Sequence, residues 1–230
     1  SGAGGLGGFG GGQGSGPCCS SGGGGGAGAG LGGGIFNNGG NITTTNATIA
    51  FNNAYGGQGQ TLTATGGWAK GGTDGEGFGG GIFNRVGVVD INNTLVANNS
   101  NHNDIDNAMV SVVITDEDLW GNFTSTSGYN LIFNIGAGLL GGTTTGNIIG
   151  QDPLILPLAN NGGLTHTIEI QKCPNSPAID GALDAIASAL DQRDLPRINV
   201  YSGANMADIG AFETTDTLFY LGGTVVDFCF

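Results

Sequence analysis

Basic side chains are scarce in this chain: 5 Lys and Arg stand against 18 Asp and Glu, for a net charge of −13. Two of the five, Arg193 and Arg197, lie in the run DQRDLPR at 191–197, between Asp180 of SPAID and Asp208 of ADIGAFE. Carboxylates grouped this way could do one of two things. A pair of them could hydrolyse a glycosidic bond, one acting as acid and the other as base or nucleophile. Alternatively, the planar guanidinium forks could bind the carboxylates and tie remote parts of the chain together. The second reading is the expected one, with Arg193, Arg197, Asp180, Asp191 and Asp208 as structural ties and no catalytic residue. A polysaccharide lyase would need a base to take a proton and cations to hold the uronate. Lys70, Arg85 and Lys172 are scattered, and His102 and His166 are isolated, so this chain is poorly equipped for that reaction.

Two further groups could bind or bridge. The run NHNDIDN at 101–107, followed by DED at 116–118, offers oxygen ligands of the kind calcium takes, with Asp104 and Asp106 as weak candidates. It lacks the ligand spacing and turn glycine of an EF-hand, so a solvated acidic turn is the simpler expectation, and no cofactor is expected. The four cysteines are Cys18, Cys19, Cys173 and Cys229. Neither a C-x2-C pair nor a His-x3–5-His pair accompanies them, which argues against zinc. Cys173 and Cys229 could join the C-terminal tail to the body. The adjacent Cys18 and Cys19 suit bonds to other cysteines better than to each other, and free buried thiols remain open throughout.

The elements that must carry these groups announce themselves by repetition. GGGIFN occurs at 32–37 and again at 79–84, followed by NITTTNATIAFNN at 41–53 and GVVDINNTLVANN at 87–99. Sliding the second text over the first pairs Asn46 with Asn92, Thr48 with Thr94, Ile49 with Leu95, and Asn52-Asn53 with Asn98-Asn99. The β-branched runs are of strand length and bounded by Gly and Asn, and no window shows a capped helical period. Short strands repeating in register suit a coil of parallel strands, in which each turn buries its apolar face only against the next. Asn fits the corners, because it tolerates left-handed backbone and can stack on its equivalent one rung away. A Gly-rich β-sandwich with a chance repeat is the alternative. N-x-S/T sequons at Asn41, Asn46, Asn92, Asn98 and Asn122 are expected to serve such ladders rather than sugar attachment.

The ends differ from the middle. Residues 1–31 are a Gly-rich arm with isolated Leu6 and Phe9. An arm of this composition becomes ordered only against a partner that offsets the lost entropy, either its own body or a neighbouring subunit. Residues 54–80 form a second Gly-rich excursion, carrying Trp68. The tail 214–230 contains LFYL and TVVDFCF, which suit two strands joined at Gly222-Gly223, or a strand lent to a neighbour. Leu218, Phe219, Tyr220, Val225, Val226, Phe228 and Phe230 are its candidate assembly residues, with Leu6 and Phe9 at the other end. The chain starts at Ser1, which suits a processed or partial chain. It contains no apolar run of ~20 residues, so no transmembrane segment is expected, and its acidity argues against a nucleic-acid partner.

In order along the chain, GGGIFN, TLVANN, SGYNLI, SPAID (176–180), DQR-x-x-PR (191–197) and DIGAFE (208–213) closely resemble the choice-of-anchor Q domain proteins. These bacterial surface proteins are similar to the wider polymorphic outer-membrane-protein type. Asp194 stands where that family usually has Gly, and SPAIDGA replaces SPAIDAG. The resemblance covers roughly 32–213 and implies a right-handed parallel β-helix (solenoid). It divides the chain into the arm at 1–31, the β-helix at 32–213 and the tail at 214–230. The expected function is that of a non-catalytic, secreted or cell-surface structural protein, polymerising through its termini. The alternative is an adhesin or carbohydrate-binding module, using Thr43, Thr44, Thr45, Tyr55 or Trp68 on a glycan or cell-surface partner. A polysaccharide-degrading enzyme ranks below both.

Overall fold

The two GGGIFN texts open two strands of equal length that lie side by side. In the computed structural model, which describes residues 6–14, 24–60, 71–102, 115–197, 207–215, 219–221 and 224–226, the chain makes successive passes through the same sheets. The first pass gives β1 (Gly30–Leu31), β2 (Ile35–Thr45), β3 (Thr48–Ala50) and β4 (Asn53–Tyr55). The second gives β5 (Gly77–Phe78), β6 (Ile82–Asn92), β7 (Leu95–Ala97) and β8 (Ser100–His102). Then come β9 (Thr115–Asp116), β10 (Leu119–Ser125) and β11 (Leu131–Ile132), and finally β12 (Ala137–Gly142) and β13 (Ile148–Ile149).

Each pass contributes one strand to each of two four-stranded sheets, in the orders β12-β10-β6-β2 and β13-β11-β7-β3. Every pairing within these two sheets is parallel. β4 also pairs with β8 in parallel, whereas β8 and β9 are antiparallel. The protein is thus strand-rich and built largely on parallel sheets, and a 3-10 turn at Asp184–Ile186 is the one helical element among the described residues. No helix there is long and apolar enough to cross a membrane.

The structure corrects the alignment of the two repeats. Thr48 lies opposite Leu95 and Ile49 opposite Val96, while Asn52 bonds Asn99. One offset, 47 residues, therefore runs through the strand and the corner alike, where the textual match slips to 46. Strand parity explains why: a slip of one residue would turn Ile49 out of the core. The corner residues confirm the phase, because Asn46 and Asn93 share positive φ (50° and 46°), as do Phe51 and Asn98 (60° and 54°).

Side chains of β7 and β11 alternate between two cores. Val96 and Ile132 point into the space between the two sheets, with Ile49, Ile82, Val89, Ile91, Leu119 and Phe123. Leu95, Ala97 and Leu131 point the other way, onto Ile170, Ala178, Ala182, Ala207, Ile209 and Phe212. Covered on both faces, LVA reads as an unbroken apolar run rather than an alternating one. The outer cover comes from residues 150–197 and 207–215. Its described segments hold isolated antiparallel bridges and the 3-10 turn. The tail strands β14 (Phe219–Leu221) and β15 (Thr224–Val226) pair with each other in antiparallel register, either side of Gly222-Gly223.

Candidate functional site

The cover is held by the arginine motif. Arg193 grips Asp191 through Nε (2.8 Å) and Nη2 (2.7 Å). It also donates to the Glu213 carbonyl and lies over the Phe212 ring at 3.7 Å. The same Asp191 carboxylate accepts the backbone N–H groups of Arg193, Leu195 and Glu213. Burial pushes the Asp191 carboxyl up, but these donors outweigh it and hold the group below its ordinary value.

Arg197 is 1% exposed. It donates to Ser188 Oγ (3.0 Å), the Gly210 carbonyl (2.9 Å) and Glu213 Oε2 (3.4 Å). Its ionic partner is therefore Glu213, a residue of the ADIGAFE motif that the arginine–aspartate reading passes over. Asp208 instead receives backbone N–H groups from Asp180 (2.8 Å) and Thr214 (2.6 Å). Asp180 itself joins the knot through its main chain, in a positive-φ turn (53°). Burial raises Asp208 to about 6 and, with the Asp208 charge beside it, raises Glu213 to about 8. Burial lowers Arg197, opposed by the Glu213, Asp191 and Asp208 charges. These carboxylates are enclosed and accept backbone N–H groups from both sides of the motif.

A second polar system runs through the passes. Asn52 donates its N–H and Nδ2 to Asn99 Oδ1, and Asn99 donates the same two groups to Asp118 Oδ1, at 2.8–3.1 Å. Asp118 Oδ2 then accepts Asn134 N–H at 2.7 Å. Beside it, Glu117 accepts from Ala137 N–H (2.8 Å), Gly79 N–H (3.2 Å) and Asn101 Nδ2 (2.8 Å). Glu117 and Asp118 are 6% and 1% exposed, so this portion of DED is a buried ladder step rather than a solvated turn. Asn46 and Asn92 are also buried, whereas Asn41 and Asn122 are exposed.

The third system is made of glycine. Four runs, 10–13, 24–30, 56–60 and 71–77, lie against one another and bond at every third residue. Ala27 and Gly30 donate to Thr73 and Glu76; Gly57 and Gln60 donate to Gly28 and Gly25. Gly72 and Gly75 donate to Gln60 and Gly57, and Thr73 and Glu76 donate to Gln13 and Gly10. A step of three is that of a threefold extended helix, which has no internal hydrogen bonds and turns its backbone groups outward on all sides. Run 71–77 uses three sides at once. A Cβ on Gly72 or Gly75 would overlap the carbonyl oxygens of Gly25 or Gly28, whereas one on Gly25 or Gly28 would meet open space.

Phe9 anchors the arm onto an aromatic row. Phe36, Phe83 and Trp120 are register partners on β2, β6 and β10, with Phe83 and Trp120 stacked at 4.4 Å. Phe9 meets Phe78 at 5.0 Å, Trp120 at 5.2 Å and Phe83 at 5.9 Å. The described stretch of the arm thus finds its partner in its own body. Leu6 is exposed. A cleft of about 370 Å³ lies nearby, lined by Gly10–Gln13, Thr73, Asp74 and Glu76.

The remaining candidates are more dispersed. Cys173 is disulfide-bonded, while Cys18, Cys19 and Cys229 lie outside the described residues. So do Asp104, Asp106, Trp68, Lys70, Leu218, Phe228 and Phe230, and Phe219, Tyr220, Val225 and Val226 are described in backbone only. Lys172 donates to the Thr215 carbonyl, Arg85 to Asn38 Oδ1 (2.8 Å), and His166 is exposed. Thr43, Thr45 and Tyr55 are exposed, while half-buried Thr44 bonds Thr94. No cluster of metal-ligating side chains occurs among the described residues. No protein family, curated protein or solved structure matches the chain at a significant level.

Proposed function

We propose that this chain is a non-catalytic structural subunit of an extracellular filament or surface layer. In this reading its passes form a right-handed parallel β-helix of the choice-of-anchor Q kind. The observation that carries the proposal is the repeated pass itself: two sheets of parallel strands, one strand from each pass, bound internally by side-chain ladders. Such a stack directs its polar chemistry along its own axis and gains stability from each added neighbour. The knot of Arg193, Arg197, Asp191, Asp208 and Glu213 serves the same end by fastening the cover. The test is electron microscopy of the full chain together with its mass across a dilution series. Regular filaments or sheets that persist on dilution support the reading; dispersed monomers of 22.7 kDa at every concentration refute it.

One observation favours a second reading. Phe9 and Phe36 expose about half of their surface, and exposed aromatic faces suit sugar rings. A glycan-binding surface would change tryptophan fluorescence on titration with neutral oligosaccharides, through Trp120; an unchanged spectrum would dismiss it.

A further inference from the structure

We infer that the two ends of the strand stack are the subunit joint, the end bearing β12 and β13 of one copy receiving β2 and β3 of the next. The inference rests on the self-assembly reading and specifies its interface. Among the described residues both sheets stop on strands paired on one side only, β2 and β3 at one end and β12 and β13 at the other. An unpaired edge is a template for another strand, and soluble proteins blunt it with charge or proline. Here charge and proline are both missing. IFNNGGNITTT, TIA, AGLLGG and II contain no Asp, Glu, Lys, Arg or Pro, in a chain whose net charge is −13. The charges on these sheets, Arg85 and Asp90, sit on the interior strand β6.

Apolar side chains are also less covered at both ends of the stack, Ile49 (9% exposed) excepted. Phe36 is 47% exposed while its register partner Phe83 is 0%, and Ile149 is 44% exposed while its partner Ile132 is 0%. Ile35, Ile42, Leu140 and Ile148 are likewise only partly covered. The register rows show what would cover them. Ile49, Val96, Ile132 and Ile149 form one row across the second sheet. Continued by one rung, it brings Ile149 of one copy onto Ile49 of the next. In the first sheet the row Phe36, Phe83, Trp120 ends on Ala137. A large ring at one end then meets a small residue at the other, and the aromatic stack continues through the joint. Only a copy in the same orientation supplies parallel strands to both sheets at once, about 4.8 Å beyond the last. The backbone departs from simple pairing at Asn38–Asn41 of β2, so the new pairing falls on Asn41–Thr45. The contact is head-to-tail and does not close on itself, which yields a filament rather than a dimer.

The full chain carrying Phe36→Lys or Ile149→Lys tests this, because each change places a charge on one end at a position already exposed. Leu164→Lys, at a residue 94% exposed on the cover, is the control. Each end variant alone is expected to lose the filaments while keeping the far-UV circular dichroism of the parent, and the control to keep them. Mixed in equal amounts, the two variants retain one sound end each and are expected to pair into a species of about twice the 22.7 kDa monomer mass by sedimentation. Filaments formed undiminished by both variants would overturn the joint while leaving self-assembly standing. A parent chain that forms no assembly would overturn both.

Discussion

Asp208 and Glu213 are acids that the fold prefers protonated. Their carboxyls are raised to about 6 and about 8, against ordinary values of 3.8 and 4.5. The folded chain therefore binds more protons than the unfolded one between those limits, and stability falls as pH rises through the window. Asp191 works in the opposite sense at the acid end, where its lowered carboxyl withdraws support as pH falls below 3.8. Thermal midpoints should be higher near pH 5 than near pH 9, and Glu213→Gln should flatten the slope. A midpoint rising from pH 5 to 9 would contradict the assignment. A second residue makes a separate test. Asp118 accepts hydrogen bonds on both oxygens, from Asn99 and from Asn134 N–H. Asp118→Asn would set an amide N–H2 against one of these donors, leaving a buried group unpaired at a cost of ~1–3 kcal/mol. Denaturant titration should show the loss, and an unchanged midpoint would mean that the ladder step adds nothing.

The glycine runs are the element whose structure is least legible in the sequence. The GGGIFN repeat, the strand-length apolar runs and the Asn corners point to parallel strands from residue order alone, because side-chain type reports strand parity. Glycine carries no such signal. Its threefold bonding leaves no Gly-X-Y pattern, since different faces of each run meet different neighbours, and the sequence leaves open whether residues 6–14 meet their own body or a neighbouring subunit. The burial of Glu117 and Asp118 is hidden for the converse reason: an acidic run looks solvated until the ladder that it completes is seen. The cover is legible as motifs but not as geometry, so Glu213 escapes notice although it ends ADIGAFE. The glycine array makes a paired prediction. Gly75→Ala puts a methyl into the Gly28 carbonyl and must push runs 24–30 and 71–77 apart, whereas Gly28→Ala meets open space. The first should weaken amide protection across residues 24–30 and 71–77 in hydrogen exchange. The second should leave it intact and gain up to ~1 kcal/mol by restricting the unfolded chain. Equal behaviour of the two would refute the close packing.

At the scale of the whole molecule, the cover binds the passes into one cooperative body. Its backbone reaches the first pass where Ser188 N–H meets Asn46 Oδ1 (3.1 Å) and Ala211 N–H meets Thr48 Oγ1 (2.9 Å). It reaches the second pass at Asn93, which donates Nδ2 to the Leu183 carbonyl (3.0 Å) and accepts Leu183 N–H on Oδ1 (2.8 Å), while its carbonyl accepts Gly210 N–H (3.0 Å). Leu95 and Leu131 lie directly beneath, against Ile209 and Phe212. A sheet whose outer face is covered this way cannot unfold separately without exposing both cores, so one transition is expected for sheets and cover alike. Asn93→Gly isolates the fastening, since glycine keeps the positive φ of 46° and removes only the side-chain bonds. Two part-buried hydrogen bonds are lost and their Leu183 partners left to find other bonds, which amounts to ~1–3 kcal/mol. Tryptophan fluorescence and far-UV circular dichroism should report the same lowered midpoint. Two separated transitions would show instead that the cover is an independent unit resting on the stack.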